Sequence, residues 1–223
     1  MSTRVSVERR PDGVRVALTG GLLRPRRVAD GPGGPRVGLV ATTALLLGGD
    51  EVDVAVEVGS DAALELFDVA GTVAYHGRGR PAAWRTTISL ADDACLIYAG
   101  QPFVISDGAD VIRTMSLDLA GSARLRLRET LVLGRDGQTG GRVRSWTDLR
   151  VGGVEVWRED TDLDPTGIRG LPGMLGGHRV VDTLLTAGQP APPAPPAVAY
   201  ALLCGAGTVT RYLGDELAES PLT

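Results

Sequence analysis

With 223 residues the chain is long enough for a large all-β domain that buries its own core without a disulfide staple. A formal net charge of −4 argues against a nucleic-acid binder, which carries a basic surplus. With 31 glycines and 14 prolines the chain has many tight turns, and aromatics at 4% leave Val, Leu and Ala to fill the core.

Residues 5–8 and 14–18 flank Pro11-Asp12-Gly13 and predict a hairpin. A basic segment follows, with Arg24, Arg26 and Arg27 around Pro25 beside a Gly/Pro run at 31–35, and reads as a solvated loop. Residues 37–47 are the longest apolar run, predicted to form a fully buried strand or pair of strands. The run is too short to span a bilayer, and Gly48-Gly49-Asp50 breaks it.

A unit of strand, polar turn and second strand then repeats four times. The second strands start at Ala62, Ala94, Ala123 and Val154, spacings of 32, 29 and 31 residues. In the first unit Val52, Val54, Val56 and Val58 share one face, Gly59-Ser60-Asp61 turns the chain, and Ala62, Leu64 and Leu66 resume the apolar face. Ala91-Asp92-Asp93 and Ala120-Gly121-Ser122 turn the second and third, and Gly152-Gly153 the weaker fourth. One such unit would leave an apolar face bare, so the period predicts stacked layers, a β-helix or solenoid.

Beyond Asp164 the pattern changes to a Gly-rich loop at 167–177, a strand at 179–186 and a Pro-rich connector at 189–196. A closing hairpin at 198–203 and 208–212 and a short helix at 214–219 complete a cap. The expected organisation is one domain over 1–223: N-terminal hairpin and loop at 1–36, repeated core at 37–163, capping segment at 164–223.

The chain carries no nucleophile elbow, no phosphate loop and no H-E-x-x-H pair. His76 and His178 lie a hundred residues apart; His76 reads as a loop residue, and His178 opens a strand after Gly176-Gly177 with an ordinary structural role. Cys95 reads as a small buried hydrophobe; with Cys204 it offers no disulfide framework, which fits a reducing compartment. Residues 1–10 are polar and charged, unlike a secretory leader, so a soluble cytoplasmic protein is expected.

Two carboxylates break the apolar parity. Glu129 shares a register with Ala123, Leu125, Leu127, Leu131 and Leu133, and Asp68 with Ala62, Leu64 and Leu66. An acid on an inward face is costly unless it is paired or meets water. Either an arginine or a bulge accommodates them, or the stack encloses a wet passage lined by acids and suited to a hard or borderline cation. Asp50 reads locally as a turn residue capping a strand entry.

Leu47-Gly48-Gly49-Asp50, the strand 52–58 and Gly59-Ser60-Asp61-Ala62 resemble the urease accessory protein UreD (UreH) family. Ala70 to His76, Gln101-Pro102-Phe103-Val104, Ser106-Asp107-Gly108-Ala109, Arg128 to Arg135 and Arg211 to Asp215 are similar to further segments of that family. Ala41-Thr42-Thr43-Ala44 departs from the P-G-G-G usual before the G-G-D step. The glutamate usual near Pro102 is missing too.

The resemblance implies a β-helix-like fold and a maturation chaperone, not an enzyme. Such a chaperone docks on apo-urease with two other accessory proteins, UreF and the GTPase UreG. It also implies no tightly bound cofactor, with Ni2+ in transit through an internal tunnel. Asp50 and Glu129 match acidic positions of family motifs and Asp68 lies near one, so these three are the expected tunnel-lining, transient nickel ligands. Neither a nucleic-acid nor a membrane partner is expected. The rival readings are a solenoid module binding carbohydrate, and a polysaccharide-acting enzyme built on paired carboxylates such as Asp68 and Glu129.

Overall fold

Val52, Val54, Val56 and Val58 are each at most 2% exposed while Glu51 and Glu57 face water, and this strand sets the pattern for the molecule. The computed structural model describes residues 2–31, 33–167, 170–171, 174–189, 199–203 and 205–222. Its strands are β1 (Thr3–Arg10), β2 (Gly13–Thr19), β3 (Leu23–Arg27), β4 (Arg36–Ala41), β5 (Glu51–Val58), β6 (Ala63–Asp68), β7 (Thr72–Ala74), β8 (Ala82–Leu90) and β9 (Cys95–Ala99). They continue with β10 (Phe103–Ile105), β11 (Asp110–Leu119), β12 (Arg124–Leu133), β13 (Arg142–Val151), β14 (Val154–Leu163), β15 (Val180–Ala187), β16 (Ala199–Leu202) and β17 (Gly207–Gly214). A 3-10 turn, Leu217–Glu219, follows where a short helix was expected.

Two sheets result. One runs β14-β13-β11-β8-β5-β1-β2, the other β16-β17-β15-β12-β9-β6-β4-β3. Within the first, β1, β5, β8, β11 and β13 pair in parallel; within the second, β4, β6, β9 and β12 do. Successive strands of a unit therefore alternate between sheets and return one layer further on, giving a β-solenoid of about four turns. The short β7 and β10 pair with each other, and β10 also pairs with the far half of β12. Valines 5, 7, 54 and 56 from one sheet and leucines 64, 66, 96 and 125 from the other fill the space between them.

The turns of the first three units close with the same backbone hydrogen bond. The N–H of Ala62 donates to the carbonyl of Gly59 (3.2 Å), that of Ala94 to Ala91 (3.1 Å) and that of Ala123 to Ala120 (3.0 Å). In the first two of these turns Asp61 and Asp93 take the left-handed conformation, which Asp tolerates better than most residues, whereas neither Gly121 nor Ser122 of the third has a positive φ. The three alanines are 3%, 0% and 0% exposed, stacked where the neighbouring layers leave no room for a longer side chain.

The fourth unit departs from the expected repeat. Gly152 and Gly153 both have positive φ, +59° and +79°, the backbone of a two-residue type I′ hairpin. So β14 turns back antiparallel on β13 and stays in the first sheet, and Val154 is 63% exposed. The second sheet grows instead by β15, β17 and β16, all antiparallel.

Three smaller expectations are corrected. Arg24, Pro25, Arg26 and Arg27 lie in β3, paired antiparallel with β4, where an outer strand tolerates proline; the arginines are exposed and Pro25 is buried. The strand expected across 37–47 ends at Ala41, and Leu46 turns the chain with φ +59° while its side chain stays buried. Cys95 is only half-buried, on the outward face with Ile97 and Arg126, because Ala94, Leu96 and Tyr98 take the inward positions. The hairpin expected at 5–18 forms, and β1 goes on to join the stack beside β5. Most of the Pro-rich connector, part of the Gly-rich loop and Cys204 lie outside the described residues.

Candidate functional site

Register fixes the site. Phe67 pairs with Ala99 and Ala99 with Arg128, so the next residues of the three layers are Asp68, Gly100 and Glu129. The same rung continues across the second sheet from Glu129 to Thr183 and on to Arg211. Leu125, Leu127, Glu129 and Leu131 hold one parity without a bulge, and so do Leu64, Leu66 and Asp68. Both carboxylates thus enter the interior.

Gly100 sits between them. A Cβ there would lie 2.6 Å from the Arg128 carbonyl oxygen and 3.8 Å from Asp68 Oδ2, so the position takes only glycine and leaves a gap beside the acid. A cavity of about 30 Å³ lies at this level, walled by Asp68, Tyr98, Phe103, Arg113 and Glu129 among others. That volume is enough for about one water.

Asp68 is half-buried and, among the described residues, no arginine is bonded to it. The Tyr98 hydroxyl donates to Oδ1 (3.3 Å) and the Gln101 N–H to Oδ2 (3.2 Å). Burial pushes its carboxyl up to about 6; the two hydrogen bonds oppose this, the charge of Glu129 adds to it, and Arg113 relieves part of it. Burial also raises the Tyr98 hydroxyl well above its ordinary value, with help from the charges of Asp68 and Glu129, so it stays a donor.

Glu129 is paired with Arg113, which crosses from β11 of the opposite sheet. The guanidinium lies 4.6 Å from the centroid of Phe103, and Phe103 meets Trp84 edge to face at 5.5 Å. Beyond this pair a second cavity, of about 560 Å³, opens between β11, β13 and β14 on one side and β12, β15 and β17 on the other. Its polar wall includes Ser145, Thr147, Thr161 and Thr183, and Glu159, which grips Arg211 through two bonds of 2.6 and 2.8 Å. Arg211 also donates to Thr183 Oγ1 at 3.0 Å. Arg113, Met115 and Glu129 line both cavities. A polar file therefore runs from Asp68 through Arg113–Glu129 to Thr183 and Arg211–Glu159, inside an otherwise apolar stack.

Asp50 stands elsewhere, in the turn before β5. Its carboxylate accepts the Leu47 N–H at 3.0 Å and its carbonyl accepts the Ala83 N–H at 2.8 Å. It lines none of the cavities described here. His76 and His178 are exposed; His76 Nδ1 accepts the Arg78 N–H at 3.0 Å, and His178 Nδ1 lies 3.4 Å from Asp215. Among the described residues, no group of three or more His, Cys, Asp and Glu is arranged to hold a metal ion, and no helix is long and apolar enough to cross a membrane.

Arg113, Tyr98, Gly100, Glu159 and Arg211 were missed by sequence reasoning. For Arg113 a signal existed: it breaks the inward row of Val111, Met115, Leu117 and Leu119 just as Glu129 breaks its row of leucines.

Fold and site together define a strand-built scaffold with a file of polar groups between its two sheets. A family model described as UreD urease accessory protein matches residues 16–219. The chain is 42% identical to urease accessory protein UreD 1 of Streptomyces griseus subsp. griseus over 96% of its own length and 85% of that protein. It is 35% identical to UreD 1 of Saccharopolyspora erythraea (89% of this chain, 85% of the relative) and 35% identical to UreD of Frankia alni (81% and 68%). The chain belongs to the UreD urease accessory protein family.

Proposed function

We propose that the chain is a non-enzymatic maturation chaperone that passes nickel toward the active site of apo-urease through the interior of its solenoid. In this reading it is a cytoplasmic scaffold in a complex with urease structural subunits, UreF and UreG. The observation that carries the reading is the polar file: two inward carboxylates, Asp68 and Glu129, beside a gap held open by Gly100, with a larger cavity beyond. Isolated carboxylates ligate a borderline cation weakly, so an ion can move on, whereas a cage of thiolates and imidazoles would trap it. The size of the small cavity goes against a polysaccharide-acting site, because about 30 Å³ has no room for a sugar ring. Asp50 sits in its turn outside these cavities, and its carboxylate is taken by the Leu47 N–H.

Co-expression with urease and the other accessory proteins, in cells without a substitute, tests this. Omitting the chain is expected to abolish urease activity and its nickel content; unchanged holo-urease would refute the reading. Glu129→Ala is expected to lower activation more than it lowers recovery of the assembled complex on an affinity column. Equal loss of both would make Glu129 a structural residue.

A further inference from the structure

We propose that Arg113 is a resident counter-cation that closes the interior between Asp68 and Glu129, and that a divalent cation passes only by displacing it from Glu129. The proposal rests on the conduit reading above and adds a gate to it.

Position comes first. Arg113 is the charged member of the inward row of β11, its side chain is 11% exposed, and it lines both the small and the large cavity. Any species moving along the polar file meets this guanidinium.

The second point is how loosely it is held. Among the described residues, three arginine–acid pairs involve β12, β15 or β17. Arg128 engages Asp182 through both Nε (3.1 Å) and Nη2 (2.8 Å), and Arg211 grips Glu159 through two nitrogens while its Nε donates to Thr183. Arg113 touches Glu129 through Nη2 alone, and its Nε is buried with no acceptor among the described residues. An unmet buried donor is costly, so this pair is under-satisfied where the other two are not. The Phe103 ring supplies the rest of the support, and a π face holds a cation without fixing its donors. Arg113 is the arginine of the three that can leave its acid with least loss.

The third point is charge. With Arg113 in place, the pair is neutral. Once it moves aside, Glu129 and Asp68 face one gap across Gly100, two hard oxygen donors suited to a divalent cation. When the ion departs, the guanidinium returns. Competition of this kind keeps an ion in transit.

The test uses the purified full chain, with Ni2+ alone as the probe, by isothermal titration calorimetry. Arg113→Met keeps an unbranched apolar stem but removes the guanidinium and its charge, and is expected to bind one Ni2+ about tenfold tighter than the parent, because an acid without its counter-ion seeks another. The gain should vanish in the double variant Arg113→Met/Glu129→Gln. Arg113→Lys, which retains charge but neither fork nor π-stacking, guards against misfolding and is expected to show a smaller gain, about threefold. Equal affinities for parent and both variants, or a gain that survives Glu129→Gln, overturns the gate. Failure of the conduit reads out separately, as unchanged urease activation by Glu129→Gln alone.

Discussion

At Asp68 burial and hydrogen bonding pull in opposite directions, and burial wins. Its folded value of about 6 stands above the 3.8 of an exposed aspartate, so between these values the folded chain holds a proton that the unfolded chain releases. The contribution of Asp68 is therefore most favourable below pH 4 and is lost as pH rises through 6. At pH 7 the ionised side chain costs on the order of 2–3 kcal/mol. Asp68→Asn removes that cost but gives up one acceptor, worth about 1 kcal/mol, because Tyr98 and Gln101 each donate to a different oxygen. The variant is expected to be about 1–2 kcal/mol more stable than the parent at pH 7 and to lose the advantage by pH 4. Urea unfolding at the two pH values measures this; a difference that does not change with pH would show that Asp68 is solvated like a surface acid. A position kept ionised against its own stability is what a transient cation ligand requires.

At the scale of elements, the corner alanines carry the stack. Ala94 is fully enclosed between the layers that begin at Ala62 and Ala123, so Ala94→Leu forces the turns apart and is expected to cost about 1–3 kcal/mol. The matching position of the fourth unit, Val154, faces water, and Val154→Ala should stay within about 0.5 kcal/mol of the parent. Urea midpoints of the two variants decide it, and similar losses would mean that the four corners are equivalent after all. The contrast also marks what the amino-acid order makes legible. Alternation along a strand reports which face is buried, so the layers and the inward aim of Asp68 and Glu129 are readable from parity alone. The contact of Arg113 with Glu129 is not, since it depends on how two separate sheets face each other. The hairpin at Gly152-Gly153 carried its own turn signal, which the repeat spacing masked. The run 37–47 hid the turn at Leu46 because an unbroken apolar stretch has no period to show where a strand ends.

Over the whole molecule, a solenoid is nearly one-dimensional: each layer touches its neighbours, and the ends need closing. The closing device here is Asp182. Fully buried, it takes two bonds from Arg128, one from Thr130 Oγ1 at 2.8 Å and one from Ser220, tying β12, β15 and the C-terminal segment together. Removing it leaves Arg128 without its acid, so Asp182→Ala is expected to cost about 3–5 kcal/mol. Nearest-neighbour coupling dictates where that loss falls. Amide exchange should quicken in β15, β17 and residues 217–222 while β1, β5 and β8, several layers away, keep their protection. Hydrogen exchange read by mass spectrometry resolves these segments. Acceleration spread evenly from β1 to β17 would mean that the stack unfolds as one cooperative block. The polar file, which crosses from β6 to β17, would then have no end that opens independently of the rest.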